Sequence, residues 1–331
     1  MKMTPYRLCR TVLAAVLLTA TSSPGALLVA QAGDAASAAP RAHRVLAADR
    51  GKIHIFDETG KSTWSFDIQS LHDLHYLDNG NILAQRNLRE VVEISPAKEI
   101  VWRYDSVAQN GKAGDRVEVH AFQRLADGIT MIAESGRARI LEVNQAGEIV
   151  HQIPLTVNNP HPHRDTRLVR WIEGGHYLVC HEGDGAVREY DRDGKVVWDY
   201  AIPLFGKERK GGHGPEAFGN HVFGAIRLPN GNTVIATGNG HSILEVNPAK
   251  EVVWKIEQND LPGITLAWVT TLELLPDGNL VIGNCHAGDK NPQIIEVNRK
   301  KEVVWQFHNW TELGNSTPNS QLLGVKGTVI R

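Results

Sequence analysis

Asp191-Arg192-Asp193-Gly194-Lys195-Val196-Val197-Trp198 is a polar turn running into a short strand, and the chain repeats it. The same ending closes Val92 to Trp102, Leu141 to His151, Arg188 to Trp198, Leu244 to Trp254 and Ile295 to Trp305. A weaker copy runs from Ile53 to Trp64. In each, an alternating strand meets a polar turn and a second strand follows, which is the signature of a β-hairpin.

A second hairpin signal lies upstream of each full copy. It reads Asp78-Asn79-Gly80-Asn81, Asp127-Gly128, Glu173-Gly174-Gly175, Asn230-Gly231-Asn232 and Asp277-Gly278-Asn279. Asn-Gly and Asp-Gly favour turns because their backbones accept positive φ. Each repeat therefore holds four antiparallel strands. The anchors at 64, 102, 151, 198, 254 and 305 recur at a mean spacing of about 48 residues, the length of a propeller blade. No stretch sustains a helical period. The reading is an all-β, six-bladed propeller over residues 44–331, with seven blades as the alternative. The first repeat lacks its innermost strand, and Ser320 to Gly327 resembles the missing piece. Pairing the end of the chain with its beginning would close the ring and remove open sheet edges.

The start of the chain reads as an export signal. Lys2, Arg7 and Arg10 precede an uncharged run from Thr11 to Ala32, and Ala30-Gln31-Ala32 fits a signal-peptidase site. Residues 1–32 are thus expected to be cleaved after Ala32, 33–43 to form an Ala-rich linker, and the mature protein to be periplasmic or secreted. No later run approaches the roughly 18 apolar residues of a membrane span. The net charge of −2, without a basic block, argues against nucleic acid as a partner. Cys180 and Cys285 are too few for a disulfide framework. Their matching places in different repeats favour two buried thiols.

Loop composition separates the two faces of the ring. One carries the tight turns quoted above. The other, formed by connections between blades and by loops between the second and third strands, takes nine of the 15 histidines: 72, 120, 161, 163, 181, 213, 221, 241 and 286. Counting eight residues back from the turn glycines makes His72, His120 and Arg167 equivalent. Asp165, His221 and Trp268 stand two residues earlier in their own repeats. The candidate site is therefore His72, His120, Arg167 and His221 around a shared cavity, with His163, Asp165, His181, His241 and His286 as a second ring. Arginine forks suit carboxylate or sulfate, and histidine serves as donor, acid–base or metal ligand. The expected partner is a small anionic or carbohydrate ligand, or a protein. The Cys-His pairs at 180–181 and 285–286 lack structural-zinc spacing. His161-x-His163 comes closer, so a divalent metal stays open. The recurring tryptophans read as packing between blades rather than a cofactor box.

The repeats resemble the bacterial quinoprotein-like (PQQ-like) propellers, whose Asp-x-x-Gly-Lys-x-x-Trp motif is similar to Asp191 to Trp198. His72-Asp73 followed by Asn79-Gly80-Asn81 is similar to the repeat opening of arylsulfotransferase propellers. That resemblance implies six blades and channel-mouth histidines beside an arginine, one histidine accepting a sulfuryl group. The channel histidines leave an enzyme, sulfotransferase-like or glycan lyase-like, as the alternative to the binding module. Quinone dehydrogenases are larger rings that often carry adjacent cysteines, which this chain lacks, so bound PQQ is not expected. The sulfotransferases also carry an N-terminal β-domain with no counterpart in this sequence.

Overall fold

The computed structural model describes residues 41–331 apart from Ser70, Lys112, Ala113 and Asp115. The signal reading and linker residues 33–40 lie outside the described residues. Six four-stranded antiparallel sheets form a ring, a six-bladed propeller. Blade two takes Leu74–Tyr76, Ile82–Arg86, Glu90–Ile94 and Ile100–Asp105, from the channel outward. Blade three runs from Glu118 to Pro154, blade four from Val169 to Ala201, blade five from Gly224 to Ile256 and blade six from Trp268 to Phe307. Blade one combines Arg44–Asp49, Lys52–Phe56 and Ser62–Asp67 with Ser320–Leu323, whose register sets Arg44 opposite Leu323 and Ala47 opposite Ser320. The ring closes as the missing strand predicts.

The core follows from this arrangement. Each blade is buried on both faces, so apolar side chains collect in the seams between neighbours. One seam joins Leu46, Ile53 and Leu74 to Ile82 and Val92, across blades one and two. Another joins Val45 and Phe56 to Val281, Ile294 and Phe307, across the closure. Cys180 and Cys285 are buried free thiols, as their matching repeat positions suggest.

A repeated latch holds the outer strands. Trp64, Trp102 and Trp254 donate their indole N–H to carbonyls of Pro96, Gln145 and Arg299, each in the next blade, at 3.0–3.1 Å. His151 takes the tryptophan's place in blade three and bonds Arg192 O at 2.8 Å. Beside them Glu93, Glu142, Glu189 and Glu245 pair with Arg124, Arg192, Arg227 and Arg299 of the following blade. Arg41 completes the series on Glu296, and His43 bonds that carboxylate at 2.8 Å. The chain just before the first strand is therefore fastened to blade six.

The innermost strands present unpaired edges to the channel. Side chains of the preceding blade satisfy several of their N–H groups: Gln321 Oε1 accepts from Tyr76, Gln123 Oε1 from Trp171, and Glu273 from Leu322. Within the channel Asp73 takes a two-pronged bond from Arg170 at 2.8 and 3.0 Å and a third from Asn319 at 2.8 Å. Arg331 bonds Asn319 and His75.

Candidate ligand site at the channel mouth

Blade connections and loops between second and third strands surround a cavity of about 520 Å³. Of the residues singled out from sequence, His72, His163, Arg167, His221 and His286 line it. Arg164, Glu182, His213, Asn239, Trp268 and Cys285 line it as well.

One wall is built on a bulge. The pairing of Glu118–Arg124 with Thr130–Ser135 slips between Val119 and Ala121, leaving His120 as the extra residue. A bulge re-aims the side chain it carries. His120 is fully buried below the cavity and does not line it. Its ring lies 4.5 Å from that of His72 and 5.1 Å from that of His163, centroid to centroid. Glu118 Oε2 joins the group, 3.0 Å from His120 Nε2 and 2.5 Å from His163 Nδ1. His120 Nδ1 lies 2.9 Å from both Thr166 O and Arg167 Nη1. The loop bearing His163 is shaped by carboxylates: Asp165 accepts the N–H groups of His161 and Gly136, and Asp184 those of Asn158 and Asn159.

The opposite wall is aromatic. His213 stacks on His286 with centroids 5.0 Å apart and lies 5.0 Å from Trp268. Trp268 is buried with Leu168, Phe223 and Cys285 in an apolar patch beneath. His221 stands between the walls, 6.1 Å from Trp268 and with Nδ1 3.8 Å from Glu182 Oε1.

Charge within the site is nearly balanced. Arg167 is buried, ion-paired to Glu182, and bonded to His163 O. Burial holds His72 well below the ordinary histidine range, and the neighbouring His120 and Arg167 lower it further. Burial also lowers His120 to about 4, and lowers His221 and His286. These imidazoles are neutral near pH 7. Burial alone would raise Glu118, but hydrogen bonds from His120 and His163 outweigh it and hold the carboxyl well below its usual range. Arg164 forms no ion pair among the described residues and lines the cavity.

Three singled-out residues stand elsewhere. His181 is buried between Asp165 O at 2.7 Å and Tyr190 Oη at 2.9 Å. The two ring nitrogens of His241 lie 2.6 Å from Ala267 O and from Ala217 O. Asp165 faces the backbone of its own loop and of Gly136. All three are outside the cavity lining. Sequence reasoning passed over Glu118 and Arg164. Glu118 carries a visible signal, an acidic residue two positions from an innermost-strand histidine, but its other partner is 45 residues away.

Ring, blade count and repeat define a quinoprotein-like (PQQ-like) six-bladed propeller. The model of the family described as outer membrane protein assembly factor BamB matches residues 49–324, and the chain belongs to that family. No curated protein matches it in sequence. Among solved structures it is similar to a protein of unknown function from Bacteroides caccae, 22% identical over 87% of this chain and 100% of that one, with a TM-score of 0.71. It is also similar to a catalytically inactive histidine-to-alanine variant of virginiamycin B lyase from Staphylococcus aureus with quinupristin. There the identity is 12% over 81% of this chain and 84% of that one, with a TM-score of 0.53. At these identities the likeness is one of fold. Among the described residues no helix is long and apolar enough to cross a membrane.

Proposed function

We propose that the chain is exported to the periplasm or beyond the cell and binds a small anionic ligand, such as an acidic sugar, at the channel mouth. A propeller supports ligand or partner binding in general. The observation that carries the finer reading is Arg164. It is the cavity's guanidinium without an ion pair among the described residues, set among neutral imidazoles and opposite an aromatic wall. A carboxylate would meet one uncompensated cation and several neutral donors, while a sugar ring would lie against Trp268 and His213. The export signal and the family's outer-membrane description both support a location outside the cytoplasm. That description also makes a protein segment the competing occupant.

A thermal-shift screen of the mature protein against uronates, sulfate esters and their uncharged analogues tests the proposal. A ligand at a hundred times its Kd stabilises by about 2.7 kcal/mol. Acidic ligands should raise the melting temperature and uncharged analogues should not, and Arg164→Ala should remove the difference. Equal shifts from neutral analogues would sink it.

A catalytic reading has its own support in His221. Its neutral imidazole faces the cavity with Glu182 3.8 Å from Nδ1, which suits a general base. In elimination from a uronate, the base would take the C5 proton as the C4–O bond breaks, with Arg164 against the carboxylate. Appearance of the absorbing unsaturated product, lost in His221→Ala, is the readout.

A further inference from the structure

Glu118, His120 and His163 offer one carboxylate oxygen and two imidazole nitrogens that lie within 4.8 Å of one another. Glu118 precedes the bulge on the innermost strand of blade three and His120 is its extra residue, while His163 comes from the loop leading to blade four. The first two are buried, and the His163 side chain is 39% exposed toward the cavity.

We propose that these three residues bind a divalent transition-metal ion of the zinc class, leaving an open coordination position that faces the cavity. The donor set of two histidines and one glutamate is one used by zinc sites that keep a position for water or substrate. Ligands about 2.0–2.1 Å from a tetrahedral ion sit roughly 3.3 Å apart. The observed separations of 2.5 and 3.0 Å around Glu118 Oε2 need to open by less than about 1 Å to reach that spacing. His163, on a loop, is the ligand with room to move.

The surroundings fit the ion. A metal-bound histidine donates its other ring N–H to a carbonyl or carboxylate, and Thr166 O waits 2.9 Å from His120 Nδ1. Without an ion the alternative tautomer lets Arg167 donate to Nδ1 and Nε2–H donate to Glu118, leaving Thr166 O the longer bond of 3.5 Å from Arg167 Nη1. Metal binding would therefore switch the His120 tautomer. Two cations stand nearby. Arg167 is neutralised by Glu182, and Arg116, 3.4 Å from Glu118 Oε1, is largely exposed. Two nitrogen donors select against magnesium and calcium, which take oxygen. The inference deepens the anion-binding reading, since a ligand carboxylate or a metal-bound water would occupy the open position, but it stands on its own ligand set.

The test uses the mature protein after treatment with a chelator. Titration calorimetry with Zn2+ and with Mg2+, and the visible absorption of added Co2+, report binding without any organic ligand. Zn2+ and Co2+ should bind at one equivalent, and Mg2+ should not. His163→Ala and Glu118→Gln should each weaken Zn2+ at least about 100-fold, the upper end of what loss of an outer-shell partner alone does. The exposed His308→Ala should leave affinity unchanged. Melting curves accompany each variant; if Glu118→Gln does not fold, the partly exposed His163→Ala decides. Zn2+ affinity equal in wild type and His163→Ala, or Mg2+ bound as well as Zn2+, overturns the site. Repeating the uronate screen on metal-free protein separates the two readings. Anion binding that survives while Zn2+ binding is absent removes only the metal, and Zn2+ binding without anion selectivity removes only the ligand class.

Discussion

On the outer rim, Trp64, Trp102, His151 and Trp254 each reach a carbonyl of the next blade, and a glutamate–arginine pair stands beside most of them. At the channel mouth, positions equivalent by register hold His72, His120, Arg167, Phe223, Thr270 and Asn319, five residue types in six blades. The rim repeats one solution in most seams; Trp198 departs from it, its buried indole N–H having no partner among the described residues, while Glu189 and Arg227 still pair beside it. The mouth is asymmetric, as the ligand site proposed for it requires. Repetition marks what holds the ring, and departure from repetition marks what the ring presents.

Loss of the ring closure should have the largest effect. Removing residues 320–331 deletes the innermost strand of blade one, exposes the Arg44–Asp49 edge, and removes buried Leu322 and Leu323. Those two leucines alone contribute about 3–6 kcal/mol, and an open edge invites aggregation. We expect a large fall in melting temperature with loss of monomer on size-exclusion chromatography. A truncated chain that melts like the full one would contradict closure.

Next comes the channel. Arg170→Ala leaves the Asp73 carboxylate buried without its main counter-ion, and breaking such a pair costs about 3–5 kcal/mol. Urea unfolding of the variant measures it. Asp73 and Arg170 are 97 residues apart, which explains why no local pattern announced them. The ring, by contrast, was legible because blades are local: turn glycines, alternating strands and a missing first strand lie within some 50 residues of one another. The site was legible only as far as register reached. His72 and Arg167 follow the count to the cavity, and His120 falls on a bulge that the count ignores. His181, His241 and His286 share a loop position, yet two turn inward to bond backbone carbonyls, a choice set by neighbouring loops.

Those inward histidines sharpen the contrast within one residue type. His181→Ala removes a partner of Asp165 O, while Tyr190 Oη keeps Thr156, and His241→Ala removes the ring set between Ala267 O and Ala217 O. Leaving buried groups unsatisfied costs about 1–3 kcal/mol. Both variants should melt lower by chemical and thermal unfolding, with ligand affinity unchanged at temperatures where they are folded.

Acid stability tests the buried titrating groups. Burial pushes His75 and His181 down to about 4, although Asp73 beside His75 pulls the other way. As pH falls below about 6.5 the unfolded chain binds protons on both and the folded chain does not, so stability falls. Glu273 opposes this. Burial raises it to about 7 against the pull of Arg331, so between about 7 and 4.5 the folded chain holds a proton that the unfolded chain lacks. His72 and His120, lowered likewise, add to the loss, and Glu273 offsets about one proton of it, or roughly 1.4 kcal/mol per pH unit between pH 6 and 5. Unfolding midpoints at the two pH values give the slope. Glu273→Gln removes the opposition and should steepen the slope by about 1.4 kcal/mol per pH unit; an unchanged slope would mean that Glu273 ionises in the folded ring as it does in the unfolded chain.

The smallest effect on folding belongs to the mouth, and it carries the most functional content. Arg164 and His221 line the cavity, and neither fills a seam between blades. The Arg164 side chain has no ion pair among the described residues to lose, and His221 is partly exposed, with its ring nitrogen 3.8 Å from the nearest carboxylate. Substitutions away from core, caps and buried networks fall within about 0.5 kcal/mol. Arg164→Ala and His221→Ala should therefore unfold at the wild-type urea midpoint. Their affinity for an acidic ligand should nonetheless fall, more for Arg164→Ala, because it removes a charge-assisted hydrogen bond worth about 1.5–3 kcal/mol. Measuring melting and affinity on the same preparations puts rim and mouth on one scale. If Arg164→Ala destabilises the ring as His181→Ala does, or leaves affinity intact, the mouth is structural in the same sense as the rim and the asymmetry has another origin.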